Sequence, residues 1–329
     1  MNCVILGQLV SFEFFESNLE TGETWQNESL ENLEKVEISE IETKLASENQ
    51  SGKSVEKDEK KEEVLEIFFL HGWRSQKEVW QSLIHSLIEK WENKSLENSR
   101  KMGKIRIWTI DLPGFGGSTV PKEAWSVGNY ADLVESFIIQ KSSPNSKKVL
   151  VGHSFGGRIS IKLIAKNSQQ NFLENNLESK NSSIEPNCKI DKLVLIGSAG
   201  FACYSIENKL KKVIAKILKP LFKPSFMQAL RRKIYTKMGS DDYLETPELV
   251  ETFKLILDED LTEDMKLVKS QTLLIYGQKD TEAPPEFGRR MLDLMTNSRL
   301  EIISNAGHFT FLDELEIVSD LVWDFLNTP

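Results

Sequence analysis

A chain of 329 residues, 40% apolar and 28% charged, is long enough for one large domain or two small ones and carries enough apolar material for a sizeable core. Its 41 basic and 50 acidic residues leave a net charge of −9, which argues against a general nucleic-acid binder, whose footprint is basic. Three scattered cysteines (Cys3, Cys188, Cys203) exclude a disulfide scaffold and, with no Cys-x-x-Cys pair, a thiolate zinc site; they read as reduced thiols of an intracellular protein, expected in the cytoplasm.

Met1–Phe15 reads as one or two antiparallel edge strands. It has no basic residue, so it makes a poor signal peptide, and no apolar run in the chain reaches the roughly 18 residues that span a bilayer. Glu16–Glu63 follows with fifteen acidic residues against six lysines. Such a stretch buries too little apolar area to offset its ordering entropy, so a mostly disordered insertion is expected, with a short helix allowed around Leu30–Leu45. Gly52-Lys53-Ser54 ends a P-loop pattern, but Ser47 stands at its first glycine and no strand precedes it.

From Val64 onward the segments alternate. Strands are predicted at Val64–Leu70, Ile105–Ile110, Lys148–Val151 and Leu193–Ile196, with helices at Glu78–Trp91, Asn129–Gln140 and Gly157–Lys166 between them. Asn93–Gly103 and Ser168–Lys189 are rich in Asn, Ser, Glu and Lys and read as long surface loops. The alternation pauses over Phe201–Lys269, read as a helical insertion. It resumes with strand Thr272–Tyr276, helix Pro285–Met295, strand Leu300–Ile303 and helix Leu312–Leu326. Apolar strands separated by amphipathic helices imply a parallel sheet covered on both faces.

Gly152-His153-Ser154-Phe155-Gly156 is a G-x-S-x-G between a predicted strand and a predicted helix. A serine on so tight a turn holds its hydroxyl exposed, and its flanking positions must be glycine because a side chain there would collide with the turn. The hydroxyl needs a base, and the chain has only four histidines. His153 adjoins the serine and should point away from it. His85 lies among Leu83, Ile84, Leu87 and Ile88 of a helix, and His71 ends a buried strand. That leaves His308, just past the last strand, where loops at the carboxyl ends of parallel strands form sites. The base needs a carboxylate to orient it. Asp280, directly after the penultimate strand, is favoured over Asp111, whose Asp111-Leu112-Pro113-Gly114-Phe115-Gly116-Gly117-Ser118 stretch reads as a turn bonding its own backbone. For the oxyanion, the Phe155 N–H is one donor and the Trp73 N–H the other, with Gly72 letting the backbone approach. Gly72, Trp73 and His153 are placed at the substrate.

Together, His71-Gly72-Trp73, the Asp111–Ser118 stretch, Gly152–Gly157, Gly277-Gln278-Lys279-Asp280 and Gly307-His308 resemble the α/β-hydrolase superfamily, in order, from Val64 to the C-terminus. The resemblance implies an α/β fold, a mostly parallel eight-stranded sheet with helices on both faces and a helical lid after the sixth strand. The core would comprise 1–15, 64–200 and 270–329, the lid 201–269, and the acidic insertion 16–63 would depart from the family pattern.

A serine at the elbow excludes the branches that use an aspartate nucleophile. No His-x-x-Glu metal pair appears, and Gly114-x-Gly116 lacks the third glycine of a dinucleotide fingerprint, Thr119 standing there, so no metal and no cofactor are expected. The expectation is a carboxylic ester or thioester hydrolase forming an acyl-serine. A carbon–carbon bond hydrolase acting on a vinylogous diketone, an aminopeptidase-like enzyme and a non-catalytic binder on the same fold are the alternatives. The expected partner is a small-molecule acyl substrate. Within Phe201–Gly239 ten basic residues stand against Glu207 alone, and Leu210, Val213, Ile214, Ile217, Leu218 and Leu221 share one helical face. Either that face closes over the cleft with its lysines solvated, or the lysines draw in an anionic membrane surface or anionic substrates.

Overall fold

The computed structural model describes residues 1–17, 64–97, 103–176, 188–202 and 247–328. Residues 18–63 of the expected acidic insertion, with the helix allowed at Leu30–Leu45 and Gly52-Lys53-Ser54, and the basic helical face from Leu210 to Leu221, lie outside the described residues.

Eight strands form one sheet: β1 (Asn2–Ile5), β2 (Gln8–Ser17), β3 (Val64–Leu70), β4 (Lys104–Ile110), β5 (Lys147–His153), β6 (Lys192–Ile196), β7 (Gln271–Gly277) and β8 (Ser298–Ile303). Their spatial order is β1-β2-β4-β3-β5-β6-β7-β8. The β1/β2 and β2/β4 pairs are antiparallel and every later pair is parallel.

Strand periodicity sorts the core into two layers. On one face Ile67 and Phe69 of β3, Ile105 and Ile107 of β4, and Val149 and Val151 of β5 meet Leu83, Ile84 and Leu87 of α1 (Gln81–Glu97) and Val318, Val322 and Phe325 of α8 (Leu315–Asn327). On the other, Phe68, Leu70, Trp108, Ile110 and Leu150 meet Tyr130, Val134 and Phe137 of α2 (Val127–Lys141) and Ile159 and Leu163 of α3 (Phe155–Asn176). α2 starts on a capping box: the Ser126 hydroxyl accepts from the Asn129 N–H, and the Asn129 side chain accepts from the Ser126 N–H.

Several boundaries differ from expectation, three of them by extending into stretches read as insertion or loop. β2 continues through Glu16 and Ser17, because Glu16 pairs with Arg106 of β4 at 3.0 Å. α1 and α3 run on to Glu97 and Asn176, into stretches that composition assigned to loops. Their hydroxyl residues are accommodated by bonding back along the helix, Ser95 to the Trp91 carbonyl and Ser168 to that of Ile164, each over four residues. The described part of the insertion after β6 is helical: α4 (Val250–Asp258) and α5 (Thr262–Leu267). α6 (Pro285–Leu294) and the one-turn α7 (Thr310–Asp313) complete the order. Among the described residues no helix is long and apolar enough to cross a membrane.

Candidate active site

The loops leaving the carboxyl ends of β3, β5, β6, β7 and β8 carry His71–Trp73, Ser154, Gly197, Asp280 and His308 to one edge of the sheet. Ser154 occupies a single-residue turn between β5 and α3 with φ of 50°. That left-handed conformation is costly for a residue with a Cβ and persists only where the surroundings over-determine it. Here they do. A Cβ on Gly156 would lie 2.2 Å from the Leu70 carbonyl oxygen, and one on Gly152 2.7 Å from the Gly156 backbone. The Ser154 N–H donates to the Ile196 carbonyl at 3.0 Å, tying the turn to the end of β6.

The next residue of β6's exit loop, Gly197, brings in the other two groups. A Cβ there would stand 3.1 Å from the His308 carbonyl oxygen and 3.3 Å from both Asp280 Oδ2 and His308 Nδ1. His308 Nδ1–H donates to Asp280 Oδ2 at 2.8 Å. The side chain of Asp280 is wholly buried, and its Oδ1 accepts the Glu282 and Ala283 N–H groups at 2.8 Å each. A carboxylate can only accept, so this bond fixes the proton on Nδ1 and leaves Nε2 with its lone pair. Nε2 lies 3.6 Å from the largely exposed Glu282 carboxylate, and among the described residues no hydrogen bond joins it to Ser154 Oγ. Such contacts commonly tighten only when substrate is bound.

The Trp73 and Phe155 N–H groups donate to no carbonyl among the described residues. Phe155 opens α3, where the first N–H groups have no intrahelical acceptor. The direction of the Trp73 N–H is set by its own peptide: the Gly72 carbonyl accepts from His71 Nδ1 at 2.7 Å and from the Ser75 N–H at 3.3 Å, so in a planar trans peptide the Trp73 N–H points the opposite way. His71 Nε2 in turn accepts the Leu112 N–H at 2.9 Å, and burial pushes its pKa down to about 4, so the ring is neutral.

Residues 67–321 match the profile of the Alpha/beta hydrolase family. This chain belongs to that family. It is 25% identical over 281 residues to the AB hydrolase superfamily protein YisY of Bacillus subtilis (strain 168), covering 80% of this chain and 91% of that one. It is 22% identical to the pimeloyl-[acyl-carrier protein] methyl ester esterase of Nitrosospira multiformis, covering 75% and 89%. An esterase from Thermogutta terrifontis superposes with a TM-score of 0.58 at 16% identity, covering 99% of this chain and 98% of that one.

In this α/β hydrolase, Trp73 stands in an aromatic wall. Its ring lies 4.9 Å from Phe115, 5.5 Å from Phe155 and 4.8 Å from Phe253, and Tyr130 backs Phe155 at 5.0 Å. Phe253 comes from α4, which is pinned to the core from below. Buried Arg158 of α3 donates to the Ile256 and Glu259 carbonyls, and Thr252 Oγ1 accepts the Trp125 N–H at 3.0 Å. Leu249 closes over Gly114, where a Cβ would come within 2.7 Å of it.

One expected site residue is placed elsewhere. His153 was expected at the substrate, but its ring is only 1% exposed and packs beneath the base against Trp80, His308, Phe309 and Phe311. A strand residue directly before a turn in the left-handed region still follows the sheet's alternation, and this one points into the core. Asp111 is buried and accepts from the Gly117 N–H, the Lys77 N–H and Lys77 Nζ at 2.8–2.9 Å. Burial pushes its pKa up, but those bonds outweigh it and hold the carboxyl below its ordinary range. Gly197, Phe253, Arg158 and Glu282 were not singled out from sequence; only Glu282, two residues after Asp280, had a positional cue. Among the described residues no three His, Cys, Asp or Glu side chains converge as metal ligands. A cavity of about 530 Å³ lies at the opposite, amino-terminal edge of the sheet, lined among others by Lys147, Cys188, Lys192 and Gln271. It shares no residue with this site, and its Lys192 is engaged by the Phe325, Leu326 and Thr328 carbonyls.

Proposed function

We propose that this chain is a serine hydrolase that cleaves a carboxylic ester or thioester through an acyl-serine intermediate. Ser154 Oγ adds to the acyl carbon while His308 Nε2 takes its proton. The oxyanion is received by the Trp73 and Phe155 N–H groups, which need no reorganisation at that moment. The tetrahedral species collapses, and the alkoxide or thiolate leaves with the proton from His308. Water then repeats the sequence: His308 takes its proton, hydroxide adds to the acyl carbon, and Ser154 departs with the proton back. Asp280 holds the tautomer and stabilises the imidazolium in both halves. The aromatic wall of Trp73, Phe115, Phe155 and Phe253 suits an apolar acyl or aryl group.

The observation that carries this reading is the left-handed Ser154, locked between glycines with no room for a Cβ, at the sheet edge that also carries a histidine oriented by a buried aspartate. Relatives whose names specify an ester substrate add support. The test is a panel of p-nitrophenyl esters, acyl thioesters, a vinylogous diketone and an aminoacyl anilide, assayed with the wild type and Ser154→Ala. Ester or thioester turnover by the wild type and none by Ser154→Ala is expected. Preference for the diketone or the anilide would replace the reading with carbon–carbon or peptide-type cleavage. No turnover with the whole panel would favour a binder.

A further inference from the structure

The ring of His153 costs the fold free energy. It is buried, which disfavours its charged form and pushes its pKa down to about 3, and Nδ1 has no hydrogen-bond partner among the described residues. A buried polar atom left without a hydrogen bond destabilises the fold. The surroundings are those of a phenylalanine: Phe309 at 4.8 Å, Phe311 at 5.3 Å and Trp80 at 6.3 Å. Packing alone would therefore be served better by an apolar ring.

What the imidazole adds is one hydrogen bond at a particular place. Nε2–H donates to the backbone carbonyl of His308 at 3.1 Å, and the two rings lie 4.7 Å apart. The unprotonated Nδ1 faces Gly72, where a Cβ would come within 2.8 Å of it and within 3.2 Å of the Ser154 Cβ. Through its own peptide His153 is joined to Ser154. This one residue thus adjoins the nucleophile along the chain, while its ring faces the loop of the oxyanion donor and bonds the backbone of the base.

We propose that His153 is a positioning residue that sets the height and tilt of His308 over Ser154 through its Nε2–H bond to the His308 carbonyl. The proposal rests on the hydrolase reading above. It acts on the alignment of the proton transfer, where misplacement by about 1 Å costs on the order of 100-fold in rate, and it leaves ground-state substrate binding alone.

The test compares His153→Phe, which keeps the ring and removes the donor, with His153→Gln, whose amide N–H reaches about as far as Nε2. Each is assayed with p-nitrophenyl butyrate and by the rate of fluorophosphonate labelling, alongside urea denaturation. His153→Phe is expected to be as stable as the wild type or more so, with kcat and labelling rate down about 10- to 100-fold and KM within about two-fold. His153→Gln should recover most of the loss. Should His153→Phe fail to fold, His153→Asn, too short to reach the carbonyl, takes its place against His153→Gln. Equal kcat in the donor and donor-less variants, or a loss confined to KM or to stability, would overturn the proposal. Loss of the hydrolase reading itself would show separately, as a wild type that neither turns over the ester nor labels at Ser154.

Discussion

Gly156→Ala probes the contact on which the elbow depends. The added methyl would lie 2.2 Å from the Leu70 carbonyl oxygen, 2.6 Å from its carbon and 2.8 Å from the His71 carbonyl oxygen. All three are backbone atoms, so no side chain can swing aside. Reaching even 3.0 Å requires α3 to move from β3 by about 0.8 Å, in a core where the neighbouring Ile159 and Leu70 are almost fully buried. Overpacking of this kind costs typically 1–3 kcal/mol, and the rigid backbone partners put this case at about 3 kcal/mol or more. The same shift carries Phe155 and Ser154 with the helix, so turnover should fall about 100-fold. Gly128→Ala is the control. It lies in the first turn of α2 with only Ser126 Oγ at 3.4 Å, and replacing an unstrained helical glycine should stabilise by about 0.5–1 kcal/mol. Urea denaturation followed by fluorescence measures both. A Gly156→Ala protein of wild-type stability and activity would mean that α3 does not approach the Leu70 backbone so closely and that the elbow does not depend on that contact.

Three further expectations follow from the same geometry. Ser154→Gly should remove the strain of a φ of 50° and raise stability by about 1 kcal/mol while abolishing turnover, whereas Ser154→Ala should abolish turnover without that gain, as denaturation and ester assay will read. His71 has a folded pKa of about 4, below its ordinary 6.5, so its neutral form contributes stability that is complete above pH 6.5, declines as pH falls and is gone below about 4. That gap corresponds to about 3 kcal/mol, so between pH 7 and 4 the wild type should lose more stability than the non-titrating His71→Gln; parallel curves would refute it. Phe253→Ala should lower kcat/KM for aryl and long-chain esters about 10-fold more than for acetates, because it removes the ring packed 4.8 Å from Trp73 that the proposed acyl or aryl group would lie against.

The buried strands were legible because nearly unbroken apolar runs such as Ile67–Leu70 have no other stable environment than a sheet covered on both sides. The candidate triad was legible because a histidine-poor chain leaves few bases once those in helices and buried strands are set aside. The glycines around Ser154 announced the turn for a steric reason that the Leu70 and Gly156 contacts make explicit. The helix ends beyond Trp91 and Lys166 were not legible, since Asn, Ser and Lys continue a helix whenever they point to solvent or bond back along it, and composition does not record which. Phe253 and Arg158 were hidden for a different reason. Their partners Trp73, Ile256 and Glu259 lie about 100 residues away or more, and only the folded chain brings them together. His153 points away from Ser154, as its place on the elbow implied, but its placement at the substrate fails because the last strand residue follows the sheet's alternation into the aromatic core.

Covalent acylation of Ser154 with His308 as its base is read out by mapping a fluorophosphonate adduct by tandem mass spectrometry, in the wild type and in His308→Ala. One phosphonyl group per chain is expected, on the peptide carrying Ser154, formed at least 100-fold more slowly without the His308 imidazole. An adduct on another residue, or a wild type that hydrolyses esters yet leaves Ser154 unlabelled, would contradict it.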